Sequence, residues 1–319
     1  MSKVSVVIPT YNNATFIEKC FKSVVSQSYY RHIKEIFIID DGSTDNTSKI
    51  LKRLKIDCDK LEVITTKGIG LSASRNIGIK SSSSEFIAFL DGDDYWTKNK
   101  LENQLQAFDI NKLIGLVYGD YFEFENQDAS DSHAVYVRSL NNFNENQLVE
   151  YFLKDAPIVP STTIIRKKVF DNVGLFNENI KTGEDTEMFL RIAEKWKFFY
   201  VKGTDLYKRK RKGQMSEKLE NLFNDQKKIT NDAVLRNPCL KKFSKKRESF
   251  RALKVSIDLL FRHKDKKRSF IYSIKSISLN ILNLRALTIL FLLLLPKKIS
   301  KYLYDLAKEK IYQRRKKSD

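Results

Sequence analysis

Apolar residues in this 319-residue chain fall into short continuous runs that stop at polar or acidic clusters, and between those runs they recur at spacings of three and four. The first run, Val4 to Ile8, is β-branched and ends at Pro9, and Thr10, Tyr11, Asn12 and Asn13 follow with turn and cap chemistry. Phe16, Ile17, Cys20, Phe21, Val24 and Val25 then mark one face of a helix. Glu35 to Ile39 predicts a second strand ending in Asp40, Asp41 and Gly42, with Ile50, Leu51 and Leu54 on the helix after it. Leu61 to Ile64 predicts the third strand, KGIGLSASRNIGI a glycine-containing loop and helix, and Glu85 to Leu90 the fourth strand. This β-α-β-α-β-α-β order predicts a mostly parallel, Rossmann-like α/β sheet flanked by helices, and argues against a sandwich or a bundle.

The fourth run stops at Asp91, Gly92, Asp93 and Asp94. The carboxyl edge of a parallel sheet is where open α/β folds place ligands, and carboxylates crowded there repel one another unless a positive group joins them. A hard divalent cation held by oxygen is one solution; a plain Asp-Gly turn is the other reading of the same residues. Farther along, Leu101, Leu105 and Phe108 mark a helix and Ile114 to Tyr118 a strand. Residues 120 to 160 are rich in Asn, Asp and Glu, with a helix expected near Gln147 to Leu153. Ser161 to Ile165 predicts a strand, Met188, Phe189 and Ile192 a helix opened by Glu184 and Asp185, and Phe198 to Val201 the last strand of the globular part.

Charge divides the chain. Residues 1 to 200 hold 25 Lys and Arg against 28 Asp and Glu, whereas residues 201 to 319 hold 33 against 11, most of the net +19 being in the tail. A basic tail on a near-neutral body suggests an anionic surface as its partner, membrane or nucleic acid. Three widely spaced cysteines and three histidines fit no metal-ligand pattern and suggest a reducing compartment. The N-terminus shows no secretory leader pattern, so a cytoplasmic location is expected. In the tail, the uninterrupted apolar stretch Ala286 to Leu295 is shorter than the ~20 residues that cross a bilayer. With lysines and arginines around it, segment 279–298 predicts a helix lying in a membrane interface, at the inner face of the cell membrane; packing on protein is the alternative.

Three strands ending in polar residues at one edge suit a nucleotide pocket. The set VSVVIPTYN, IIDDGSTDNT, SASRNIGI, FLDGDD and VGLFNE with TGEDTEMFLR, in that order over roughly residues 2 to 205, resembles the inverting family 2 glycosyltransferases with the glycosyltransferase-A fold. The resemblance implies residues 1–207 as a catalytic domain, with a nucleotide-binding half at 1–119 and an acceptor-binding half at 120–207, followed by the basic helical tail 208–319. It implies a nucleotide-sugar donor, of uridine type, a divalent metal such as Mn or Mg, and a glycan or lipid-linked acceptor of surface-polysaccharide assembly. It implies Pro9, Tyr11, Asp41, Arg75, Asn76 and Asp91 on the donor side, Asp93 and Asp91 toward the metal, Asp185 as catalytic base and Glu184 beside it. The Gln-x-x-Arg-Trp motif and multiple spans of the family's processive synthases are missing, which suggests addition of one or a few sugars. No His follows the acceptor region to close over a diphosphate, so one of Lys208, Arg209, Lys210 and Arg211 is the expected substitute. The rival readings are a metal-dependent nucleotidyltransferase, whose Gly-rich first loop PTYNNATF lacks, and a basic nucleic-acid-binding protein. Nucleic acid is not the expected partner.

Overall fold

The apolar runs pair as strands. β1 (Val4–Thr10), β2 (Ile33–Asp40), β3 (Leu61–Thr65) and β4 (Phe86–Phe89) lie parallel in the order β3-β2-β1-β4. Between them run α1 (Ile17–Val25), α2 (Thr47–Ile56) and α3 (Leu71–Ser81). β1 is buried along its whole length because it sits between two neighbours and is covered on both faces, which is why it reads as continuously apolar. Pro9 remains in that strand opposite Ile39, although its ring supplies no N–H. Its carbonyl accepts from Gly92 N at 3.2 Å, beyond the end of β4, so the missing donor removes no ladder bond to β4.

The computed structural model describes residues 3–154, 158–211, 219–261, 263–296 and 298–304, and the chain divides into two compact units, Met1–Met215 and Ser216–Asp319. The first unit continues after β4 with β5 (Tyr95–Trp96), α4 (Lys100–Leu105), β6 (Ile114–Phe124), β7 (His133–Val135) and α5 (Glu145–Lys154). Then come β8 (Ile164–Arg166), α6 (Lys168–Val173), α7 (Glu184–Ala193) and β9 (Lys197–Arg209). β8 inserts antiparallel between β4 and β6, and β9 lies parallel to β6. The sheet is therefore parallel in its first half and mixed beyond β4. Ser161 and Thr162, expected in a strand, form a 3-10 turn (Pro160–Thr162) that precedes β8. β9 extends well past Val201 through register shifts against β6, and carries Lys208 and Arg209 as sheet residues. Its polar second half, KGTDLYKR, has no apolar alternation to announce a strand.

The second unit holds α8 (Leu219–Arg236), α9 (Lys241–Phe261), α10 (Lys266–Leu279) and α11 (Leu284–Leu294). Phe223 of α8 packs with Ala252, Val255 and Leu259 of α9, and Ala286, Ile289 and Leu292 of α11 pack with Leu253 and Leu260. Segment 279–298 is thus not one helix: α10 ends at Leu279, a turn follows, and one face of α11 is buried in protein. No helix among the described residues is long and apolar enough to cross a membrane.

α3 sits so close on β1 that a Cβ at Gly78 would meet both γ-methyls of Val7, Cγ2 at 2.7 Å. Val7 is fully buried in the central strand and has nowhere to move. Gly78→Ala should lower stability by about 1–3 kcal/mol, read as a lower urea midpoint at unchanged slope; an unchanged midpoint would refute this packing.

Candidate active site

The polar residues after β1, β2 and β3 meet at the carboxyl edge. Asn12 takes a left-handed conformation (φ 50°) that Asn tolerates better than most residues. Its N–H donates to Ser43 Oγ at 2.9 Å, and its Oδ1 accepts from Thr44 N at 2.8 Å, so the loops after β1 and β2 are interlocked. Asp41 accepts from Thr66 Oγ1 (2.6 Å) and from the backbone N–H groups of Ile69 (2.7 Å) and Gly70 (2.8 Å), which fixes the loop after β3. Burial pushes this carboxyl up, but the donors outweigh it and hold it below the usual carboxylate range. Tyr11 and Asp41 line one cleft of about 530 Å³ with Gly42, Thr66, Lys67, Gly68 and Gly70. That volume is ordinary for a small-molecule site, and a ring 55% exposed beside an ionised carboxylate offers both stacking and hydrogen-bond acceptance.

The acidic turn after β4 separates its three carboxylates by role. Asp91 N donates to Ser161 Oγ (3.0 Å), Ser161 Oγ donates to Asp94 Oδ2 (2.9 Å), and Arg209 N donates to Asp94 Oδ1 (2.8 Å). Asp94 is therefore buried and fully engaged; burial first, then Asp93 and Asp91, push its carboxyl well above the usual range. It fastens the turn to the 3-10 turn and to β9. Gly92 is required by close approach, since a Cβ there would lie 2.6 Å from Thr10 Oγ1 and 2.9 Å from Thr10 Cβ. Asp91 and Asp93 remain as the carboxylates that face outward.

Arg75, on α3, is 1% exposed and holds two of the candidate groups at once. Its Nη2 donates to Asp91 Oδ1 at 2.9 Å and its Nη1 to Glu184 Oε1 at 2.8 Å, while its Nε is buried without a partner among the described residues. Burial works against the guanidinium charge, but Asp91 and Glu184 raise its pKa above the ordinary value. Glu184 opens α7 after the left-handed Gly183 (φ 79°). Burial and the neighbouring Asp185 push Glu184 up to about 7, against the pull of Arg75. Asp185 accepts from Thr186 N (2.6 Å) and Thr186 Oγ1 (3.3 Å) through Oδ1 alone, which leaves Oδ2 unpartnered among the described residues. Burial pushes its carboxyl up as well, against the Thr186 hydrogen bond and Arg75.

In the basic segment, Lys208 and Lys210 both pair with Glu123 (3.5 and 2.8 Å), away from the acidic turn. Arg211 Nη2 meets Asp93 Oδ2 at 2.6 Å, and its Nη1 donates to Asn13 Oδ1 at 3.1 Å. Burial pushes Asp93 up, Arg211 pulls it down and Asp91 adds to the rise. Each outward carboxylate of the turn thus has its own arginine. The description of the family named "Glycosyl transferase family 2" matches residues 5–174, more than half of the chain, and that span contains the whole of the acidic turn, Asp41 and Arg75. The chain belongs to glycosyl transferase family 2.

An uncharacterized glycosyltransferase of Rickettsia bellii is 33% identical over 196 residues, which is 61% of this chain and 27% of that protein. Glycosyltransferase AglE of Haloferax volcanii is 31% identical over 192 residues, 60% of this chain and 61% of AglE. The chain spans less than a third of the length of the Rickettsia relatives it matches. Among solved structures, S. aureus TarS 1-349 in complex with UDP-GlcNAc matches with a TM-score of 0.63 at 20% identity, over 87% of this chain and 81% of that one. At that identity the likeness is one of fold, and the curved α/β sheet with flanking helices is the glycosyltransferase-A architecture expected from the motifs.

Within the family 2 domain, Asn76 does not face the cleft. Its Nδ2 donates to Phe176 O and Glu178 Oε1 (both 2.9 Å), and its Oδ1 accepts from Phe176 N (2.9 Å). It clamps the loop that leads to α7. Pro9 is buried behind Gly92 and contributes its carbonyl rather than its ring. The sequence reading missed Ser161 and the backbone of Arg209, whose roles depend on folding distant segments onto the turn. Arg75→Met would leave Asp91 and Glu184 in contact with an apolar side chain, and should cost about 3–5 kcal/mol. Glu184 has a folded pKa of about 7, raised from 4.5, so its favourable contribution is complete below the lower value and is lost as pH rises through the upper one. Without the guanidinium, which pulls the Glu184 pKa down, that pKa should rise further, so the variant goes on losing stability above about pH 7, where the unmodified chain no longer does, and its deficit in urea unfolding should grow as pH rises past about 7; a pH-independent deficit would contradict the pairing.

Proposed function

We propose that this chain transfers a sugar from a nucleoside diphosphate sugar to a hydroxyl of a glycan or lipid-linked acceptor in cell-surface polysaccharide assembly, with inversion at the sugar carbon. The observation that carries the reading is the bridge made by Arg75. It ties Asp91, in the turn suited to a leaving diphosphate, to Glu184, beside a carboxylate with a free oxygen. Family membership and a fold neighbour bound to UDP-GlcNAc support a nucleotide-sugar donor, and a uridine one first. The base stacks on Tyr11, with Asp41 accepting from it, in the cleft they line.

Asp185 Oδ2 takes the proton of the acceptor hydroxyl as its oxygen bonds to the anomeric carbon. The bond from that carbon to the diphosphate oxygen breaks in the same displacement, and the diphosphate leaves with the electron pair. Arg75 holds Glu184 in place beside the base. Arg211 is the basic residue that turns from Asp93 to the diphosphate, a role the expected set Lys208 to Arg211 left open.

A divalent metal fits this site with help from the donor. Among the described residues no three His, Cys, Asp or Glu side chains converge to hold an ion. Asp91 and Asp93 are nevertheless hard oxygen ligands, each with one arginine partner, and ions such as Mg or Mn take one or two carboxylates together with substrate phosphates. A divalent ion held by Asp91 and Asp93 would supply positive charge to the leaving diphosphate. The cytoplasmic location and a peripheral contact with the membrane through segment 279–298 belong to the same reading.

Asp185→Asn should lower kcat by about 100- to 10,000-fold with little change in donor KM. Asp93→Asn should instead weaken manganese-dependent donor binding, measured in a panel of nucleotide sugars with a glycan acceptor; retained turnover in both variants would sink the reading. In thermal-shift measurements on the unmodified chain, a uridine diphosphate sugar should raise Tm more with manganese than without it, by mass action on the native state.

A further inference from the structure

Alongside its two apolar clusters, the second unit has one helix contact that is packed inside out. α9 and α10 meet through serines: Ser249 Oγ donates to Ser276 O and Ser276 Oγ to Ser249 O, both at 2.7 Å. Ser256 and Ser269 exchange the same reciprocal pair at 2.8 Å, and Ser273 joins Ser256 at 2.7 Å. All five serines are fully buried. On the opposite face of α10, Phe270 and Ile271 are each 53% exposed and Ile274 45%. A helix that folds in water for its own sake turns those faces the other way. Small hydroxyl residues at the helix contact, with apolar side chains outside, are the arrangement of helices that meet in lipid.

The hairpin of α10 and α11 has a direction as well. Lys266 Nζ donates to the carbonyls of Leu293 (2.8 Å) and Leu295 (3.2 Å), so the start of α10 lies beside the end of α11. The connecting turn at the other end exposes Ile281 (77%) and Leu282 (81%), where turns ordinarily carry polar residues. The open end is basic: Lys266, Lys267 and Arg268 are exposed on one side, Lys298 and Lys301 on the other. Lys275 is turned onto the Phe223 ring of α8 at 4.0 Å rather than into the exposed apolar face.

We infer that the α10–α11 hairpin is a wedge that inserts its Ile281–Leu282 tip and the Phe270 face shallowly into an anionic lipid leaflet, with the basic end at the headgroups. Lengths of 14 and 11 residues suit insertion at one face of a bilayer rather than crossing it. Charge decides the occupant. A second copy of this hairpin would bring an excess of positive charge against its like, whereas an anionic leaflet complements it. The inference deepens, and for its place in the cell rests on, the lipid-linked acceptor of the proposed reaction; vesicle binding is measured without substrate, so the two can fail separately.

The test is cosedimentation of the full chain with phosphatidylcholine vesicles, with and without phosphatidylglycerol, for the unmodified chain and the double variant Ile281→Asp/Leu282→Asp. Both positions are exposed, so thermal melts should match. Binding is expected to require phosphatidylglycerol, to fall with salt, and to weaken roughly tenfold or more in the variant, while transfer to a water-soluble acceptor stays unchanged. Equal binding by the variant, or no vesicle binding by the unmodified chain, would overturn the wedge. So would a stable dimer in light scattering that the variant dissociates without any lipid effect, since the face would then belong to a second copy. Vesicle binding without transfer to any acceptor would remove the proposed reaction and leave the wedge standing.

Discussion

A guanidinium sealed from water between two carboxylates organises the first unit. Arg75 reaches Asp91, at the end of a central strand, and Glu184, at the start of a helix more than ninety residues later. Such an arrangement is stable only as a set: removing the cation strands two acids, and removing either acid takes from the buried guanidinium one of its two acceptors. The constraint explains why so much of the surrounding chemistry is structural. Asn76, one residue on, grips Phe176 and thereby sets the loop that delivers α7 to the arginine. Phe176 in turn lies under the guanidinium, 5.4 Å from it.

The acidic turn obeys the same electrostatic logic. Three aspartates within four positions are tolerated because each has a different relation to charge and solvent. Asp94 is withdrawn into hydrogen bonds from Ser161 and the Arg209 backbone, Asp91 shares Arg75, and Asp93 meets Arg211. Arg211, 36% exposed against 1% for Arg75, is the more accessible of the two arginines, which is why the proposed reaction gives it the donor's phosphates.

The second unit follows a different rule. Its helices are joined partly by apolar clusters, Leu253 and Leu260 against Ala286, Ile289 and Leu292, and partly by buried serine pairs. Serine pairing brings two helix backbones close and satisfies each hydroxyl, but it contributes less in water than burying Phe270 or Ile274 would. An apolar exterior is therefore a property of the surface, not a by-product of core formation.

The amino-acid pattern by itself determined the parallel first half of the sheet, the family, and the identity of the acidic turn. Those features rest on contiguous residues: short apolar runs separated by segments of helical spacing pair as buried parallel strands, and DGDD at the end of one lies at the sheet edge. It also pointed to Asp185, through the motif around it, as the base of the proposed reaction. Tertiary structure alone decided which aspartate is a fastener and which face outward, because that depends on Ser161 and Arg209, far away in sequence. It alone showed Asn76 as a loop clamp, and paired Arg211, of four adjacent basic residues of similar sequence appearance, with Asp93. It divided segment 279–298 at Asn280 and turned one face of α11 into protein. The physical reason is the same in each case: hydrogen bonds and ion pairs are short-ranged and directional, so partners separated by up to a hundred residues or more become visible only when the backbone has brought them together.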